Sequence, residues 1–103
     1  MKTICIDFDG VIHDNPRGFQ HGDIYGKPSK GAVFTINNLV RNGYKVVVLT
    51  ARGEEYWDRV SLWLARNGFP QMEITNVKPP AQCYVDDKAI RFISFKDLAK
   101  YYL

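Results

Sequence analysis

The sequence predicts an α/β fold, a Rossmann-like three-layer sandwich around a central parallel sheet. Three observations carry that prediction. Short apolar runs recur along the chain, as they do in strands buried on both faces of a parallel sheet. Between them stand segments with apolar residues at helical spacing, each followed by a glycine. Strands and helices therefore alternate, which is the pattern of right-handed crossovers between parallel strands.

Taken in order, Thr3 to Ile6 (TICI) reads as the first buried strand. Residues 13–28, HDNPRGFQHGDIYGKP, are rich in Gly, Pro, Asn and Asp and read as a long loop or small hairpin, a flap. Loops of that length inside a small domain usually carry function. Ser29, after Pro28, is the expected N-cap of the first helix. Val33, Ile36, Leu39 and Val40 recur at helical spacing there, and Gly43 closes it. Val46 to Leu49 (VVVL) is the second strand. A second helix runs from about Glu54 to Asn67, with acids in its first turn, an apolar stripe of Tyr56, Val60, Trp63 and Leu64, and Gly68 at its end. Met72 to Thr75 is the third strand and Gln82 to Val85 (QCYV) the fourth. From Ser94 a C-terminal helix is expected to turn Phe95, Leu98, Ala99 and Tyr102 inward. One internal echo, LVRNGYKVVVLTAR against LARNGFPQMEITNV, uses the same helix–glycine–strand order twice and is too short for a repeat.

The 103 residues suit one domain, 1–103, with an expected radius of about 13 Å. Hydrophobic residues make up 46% and charged residues 24%, which excludes a disordered tail, a fibre and a small disulfide scaffold. No apolar run is long enough to span a membrane. Carboxylates interrupt the N-terminal apolar run after Ile6, unlike a signal peptide, so a cytoplasmic protein with no membrane partner is expected. Fourteen basic residues against eleven acidic give +3, a bias that suits an anionic ligand. The basic residues are scattered, so nucleic acid is left open as a partner but not indicated by charge. Cys5 and Cys83 sit in apolar segments and are expected as reduced core thiols; there is no C-x-x-C.

The polar outliers fall in one kind of place. Asp7 and Asp9 close the first strand, Thr50 the second, Lys78 lies just past the third, and Asp86 and Asp87 close the fourth. In open α/β sheets that C-terminal edge is where ligands bind. Residues two apart on a strand share a side, so Asp7 and Asp9 converge, joined by Asp86 and Asp87 if the fourth strand neighbours the first. Carboxylates at ~4 Å repel by about 4 kcal/mol at an effective dielectric of 20. Such a group needs a shared proton or a cation, and hard oxygen ligands with room for water suit Mg²⁺. Thr50 and Lys78 would hold phosphoryl oxygens beside it, and Gly10 lets the backbone approach a ligand closely. A lone D-x-D is a weak signal; the ordered set, each member at a strand end, is the strong one.

These segments, DFDGVIH (Asp7 to His13), VVVLTAR (Val46 to Arg52), Lys78 in NVKPP and YVDDKAIRF (Tyr84 to Phe92), resemble the four motifs of the haloacid dehalogenase superfamily of phosphatases. The resemblance implies a Mg²⁺-dependent phosphatase working through an aspartyl-phosphate. It makes Asp7 the nucleophile and Asp9 the general acid, then the base. Thr50 and Lys78 become phosphate ligands. Asp7, Asp86 and the main-chain carbonyl of Asp9 become Mg²⁺ ligands, with Asp87 in support, and the acidic group is expected to titrate as a coupled set. The stretches between motifs leave no room for the cap domain most members carry, so the chain looks like a minimal, capless member. Capless members often act on macromolecular phosphates, and others dimerise to cap their sites. T-A-R and D-D-K-A-I lean toward the polynucleotide phosphatase branch. The implied partner is a phosphorylated substrate: a nucleotide, a polynucleotide end or another large molecule. Oligomerisation is left open.

Arg52 is a candidate for a second phosphate or a backbone contact, against a helix-flank salt bridge. Arg17, Phe19, His21 and Tyr25 in the flap are candidates for touching the leaving group, each more ordinary as a solvated side chain. His13 and His21 lack a third ligand at metal spacing, which argues against zinc. Three other classes compete. One is a non-hydrolytic phosphate-binding or regulatory module on the same scaffold. A receiver-type signalling domain would carry its acid pair first and its phospho-acceptor later, the reverse of the order here. A metal nuclease would leave Thr50 and Lys78 without a purpose.

Overall fold

Four parallel strands organise the computed structural model, which describes residues 1–18, 20 and 22–103. They are β1 (Thr3–Asp7), β2 (Lys45–Leu49), β3 (Glu73–Thr75) and β4 (Cys83–Val85), in the order β3-β2-β1-β4. Cys5 lies opposite Val47 on one side and Tyr84 on the other, and Val48 lies opposite Ile74. Three α-helices accompany them among the described residues: α1 (Ala32–Arg41), α2 (Trp57–Arg66) and α3 (Phe95–Tyr102). The fold is α/β with an all-parallel sheet.

The chain runs outward from β1 through α1 to β2 and through α2 to β3. Residues 76–82 then return without a helix to β4, on the far side of β1. The direction of progression reverses between β1 and β4, which is where open parallel sheets form ligand crevices. Alternation along the strands puts Ile6, Val46 and Val48 on one face, packed with Ile36 of α1 and Val60 and Leu64 of α2. Phe8, Ile12 and Phe69 complete that core.

The helix–glycine–strand echo has a common geometry. Gly43 and Gly68 take φ of 89° and 86°. After each glycine the next N–H returns to the helix: Tyr44 to the Leu39 carbonyl and Phe69 to the Leu64 carbonyl, both at 3.1 Å. A left-handed residue ends each helix so that the following strand enters the sheet.

Several expectations need correction. Ser29 does not cap α1; the left-handed Gly31 precedes the helix, and the Ser29 carbonyl accepts the Ala32 N–H. The second helix begins with a 3₁₀ turn, Glu54–Tyr56, before α2. Cys83 is exposed rather than in the core, because β4 is an edge strand. Ser94 does cap α3, its hydroxyl accepting the Asp97 N–H at 3.0 Å. Yet α3 buries no residue, and Phe95 and Tyr102 are 77% and 78% exposed where both were expected inward. Helical spacing says which residues share a face, not what that face meets. Among the described residues no helix is long and apolar enough to cross a membrane.

Candidate functional site

The chain leaves β1 at Asp7 and folds straight back on itself. The N–H groups of Val11 and His13 donate to the Phe8 carbonyl, and the Gly10 N–H donates to the His13 carbonyl at 2.9 Å. Phe8, fully buried, anchors this turn in the core. Gly10 has φ 86°, and a Cβ there would stand 2.5 Å from Asp87 Oδ2. Only glycine satisfies both the backbone and the close approach of the β4 end.

That approach brings carboxylates together. Asp7, Asp86 and Asp87 offer oxygens that all lie within 4.8 Å of one another. Asp7 is half-buried and the other two are exposed. Burial, then repulsion from Asp86, Asp87 and Asp9, pushes the Asp7 carboxyl up to about 6, against the pull of a Phe8 backbone hydrogen bond. Three hard oxygen donors on a solvent-facing edge fit a divalent cation such as Mg²⁺.

The Asp9 side chain is not part of that cluster. Arg52 grips it from two sides, Nε donating to Oδ2 at 2.9 Å and Nη2 to Oδ1 at 3.0 Å. His13 Nδ1 lies 2.9 Å from the same Oδ1. The Gly26 N–H donates to His13 Nε2 at 2.9 Å. Nε2 is therefore the acceptor, and the proton sits on Nδ1, donated to Asp9. His13 is 0% exposed and Arg52 5%. Burial alone would raise the Asp9 carboxyl; the hydrogen bonds from Arg52 and His13 and the charge of Arg52 outweigh it and hold Asp9 below its ordinary value. Arg52 also donates through Nη1 to the Gly22 carbonyl, so it ties the flap to the site.

The flap is closed at its base. His13 and Pro28 form an antiparallel bridge, and the Asp14 N–H donates to the Lys27 carbonyl at 2.8 Å. Within it the Arg17 guanidinium stacks 4.2 Å from the Tyr25 ring centroid, and the Tyr25 hydroxyl donates to the Gly18 carbonyl. Arg17 and Tyr25 thus hold the flap's own shape. Phe19 and His21 lie outside the described residues.

A cavity of about 790 Å³ opens over this edge. Six of the residues singled out in the sequence border it: Asp7, Asp9, Gly10, Arg52, Asp86 and Asp87. Thr50 and Lys78 do not. Thr50 is 2% exposed and its hydroxyl accepts the Arg52 N–H at 3.1 Å. Lys78 is exposed and rests 4.3 Å from the Tyr84 ring centroid. Asn15, Tyr56 and Lys88 border the cavity without having been anticipated. His13 was considered only as a metal ligand. Its position four residues after Asp9, following the apolar pair Val11-Ile12, was the available hint of a buried partner. No family model, curated protein or solved structure matches the chain.

Proposed function

We propose that this chain is a Mg²⁺-dependent phosphomonoester hydrolase of the haloacid dehalogenase type, without a cap domain, acting through an aspartyl-phosphate. The observation that carries this reading is the convergence of Asp7, Asp86 and Asp87 at the reversal point of a parallel sheet, beside the Arg52-bound Asp9. Asp7, Asp86 and Asp87 would hold Mg²⁺ together with the Asp9 carbonyl, and the ion would supply positive charge to the phosphoryl oxygens and to the crowded carboxylates.

Asp7 attacks phosphorus in line, and the bond to the leaving oxygen breaks as that oxygen takes a proton from Asp9. Asp9 then takes a proton from the water that attacks phosphorus, and the bond from the Asp7 oxygen to phosphorus breaks, which frees phosphate and the Asp7 carboxylate. The ligand-free protein holds its protons the opposite way: Asp7 is raised to about 6 and Asp9 is kept ionised. Above pH 6 Asp7 is the anion that the attack needs. Asp9 gains its proton when Arg52 loosens its grip, and a phosphoryl dianion in the cavity competes for that guanidinium. Lys78 must leave the Tyr84 ring to reach the phosphoryl group. The open cavity admits a nucleotide, a polynucleotide end or another large phosphorylated molecule.

The same clamp on Asp9 favours one second reading, a phosphate-binding or regulatory module that does not turn over. Phosphate release from para-nitrophenyl phosphate, nucleotides and 3′-phosphorylated oligonucleotides separates the two. The hydrolase requires release that depends on both Mg²⁺ and Asp7, lost in Asp7→Asn. Mg²⁺ binding with no release from any of these substrates would leave only the module.

A further inference from the structure

The uncovered part of the molecule lies on the β4 side of the sheet. The chain exposes 7372 Å². A compact monomer of 11.8 kDa exposes about 5,900 Å². The excess of about 1,500 Å² is nearly twice the ~800 Å² that each partner contributes to a standard interface. The radius of gyration, 14.7 Å, also exceeds the ~13 Å of a compact chain of this length. Much of the excess is apolar and local: Phe92, Ile93, Phe95, Tyr101 and Tyr102 are each at least 60% exposed, all on α3 or the segment leading to it.

An apolar groove of about 320 Å³ lies between α1 and β4. Ile4, Ile6 and Val85 line it on the sheet side, Ile36 and Leu39 on the helix side, and Cys83 stands among them. No residue of α3 borders it. β4 is the last strand in the sheet order, so among the described residues its outer edge has no strand partner.

We propose that a second copy of this chain covers this surface, in a two-fold dimer in which α3 of each protomer lies in the α1–β4 groove of the other. The chain carries both halves of the contact, a helix that buries none of its residues and exposes Phe95, Tyr101 and Tyr102, and an apolar groove that no residue of α3 borders. Exchange about a two-fold axis satisfies both at once and closes the assembly. The exposed excess is more than enough for the ~800 Å² that each partner of a standard interface buries. The nine residues 86–94 can extend to about 30 Å, enough to carry α3 across. Because that connection begins at Asp86 and Asp87, the exchange also pins the acidic end of β4.

Sedimentation equilibrium on the 103-residue chain tests the dimer. Wild type is expected at twice 11.8 kDa. The double variant Phe95→Asp, Tyr102→Asp alters two exposed side chains and should sediment as a folded monomer with unchanged circular dichroism. The partner groove is tested with Tyr102→Cys, which adds a thiol to α3 that the exchange would carry to the groove holding the exposed free Cys83. Oxidation should give a covalent dimer on a non-reducing gel, beyond any formed by wild type. A disulfide closed within one chain would mean that α3 folds back onto its own groove and would overturn the exchange. So would a monomeric wild type, or a dimer that survives the double variant.

Discussion

Replacing Asp7 by asparagine should make the metal-free protein more stable above pH 6. The Asp7 carboxyl is raised from 3.8 to about 6, chiefly by burial and then by Asp86, Asp87 and Asp9. The folded chain therefore holds that proton more tightly than the unfolded chain does. The resulting cost is absent below pH 3.8, grows across the interval, and is complete above pH 6. At 1.36 kcal/mol per unit its ceiling is about 3 kcal/mol. A single carboxylate pair at 4.8 Å gives about 3.5 kcal/mol at an effective dielectric of 20, the same order. Solvent reaches the cluster, so about 1–2 kcal/mol is the expected gain from Asp7→Asn. For a domain of this size each kcal/mol raises Tm by about 4–8 °C. Thermal unfolding in EDTA at pH 8 should show that rise, a smaller one at pH 5, and a narrower gap at pH 8 when Mg²⁺ stabilises the wild type. An Asp7→Asn protein no more stable than wild type in EDTA at pH 8 would refute the claim that burial and the neighbouring carboxylates disfavour the Asp7 anion.

Three further outcomes follow from the same geometry. Arg52→Ala strips the half-buried Asp9 of its cation and frees the Gly22 carbonyl, and should cost about 2–3 kcal/mol in urea unfolding, below the value for a fully buried pair; Arg52→Lys keeps the charge without the fork and should recover only part. His13→Phe keeps an aromatic ring beside Phe8 and Trp63 but removes both hydrogen bonds. It should cost about 1–3 kcal/mol through the orphaned Gly26 N–H, and should raise the Asp9 carboxyl in an NMR titration, because the ionised form loses a donor. Gly10→Ala places a Cβ against Asp87 at a φ of 86°, and should weaken Mg²⁺ binding by about 10-fold or more in calorimetry.

Much of the fold was legible because its signals are local. The run VVVL is apolar at every position and lies in the sheet; the spacing of Val60 and Leu64 marks the buried stripe of α2. Acids at the ends of two strands were visible as breaks in apolar runs, and the sheet order then brings Asp7, Asp86 and Asp87 together. Thr50 and Lys78 were equally visible as residue types, but nothing local shows that the Thr50 hydroxyl turns to a backbone N–H two residues on or that Lys78 lies on Tyr84. The fourth strand was read as apolar without any sign that it forms an edge, which is why Cys83 and the inward face of the last helix were misjudged.

By itself, then, the sequence determined the alternation of strands and helices, the core-facing positions and the chemical types gathered at the strand ends. Periodicity and residue chemistry are properties of neighbouring residues, so they survive in a string of letters. Only the tertiary structure decided how those groups are used. Asp9 is held below its ordinary value because a guanidinium 43 residues away and a buried imidazole close on it, and Asp7 is raised to about 6 because burial, and then two carboxylates from the end of another strand, disfavour its charge. Such effects depend on distance through space and on exclusion of water, and neither exists until the chain has folded.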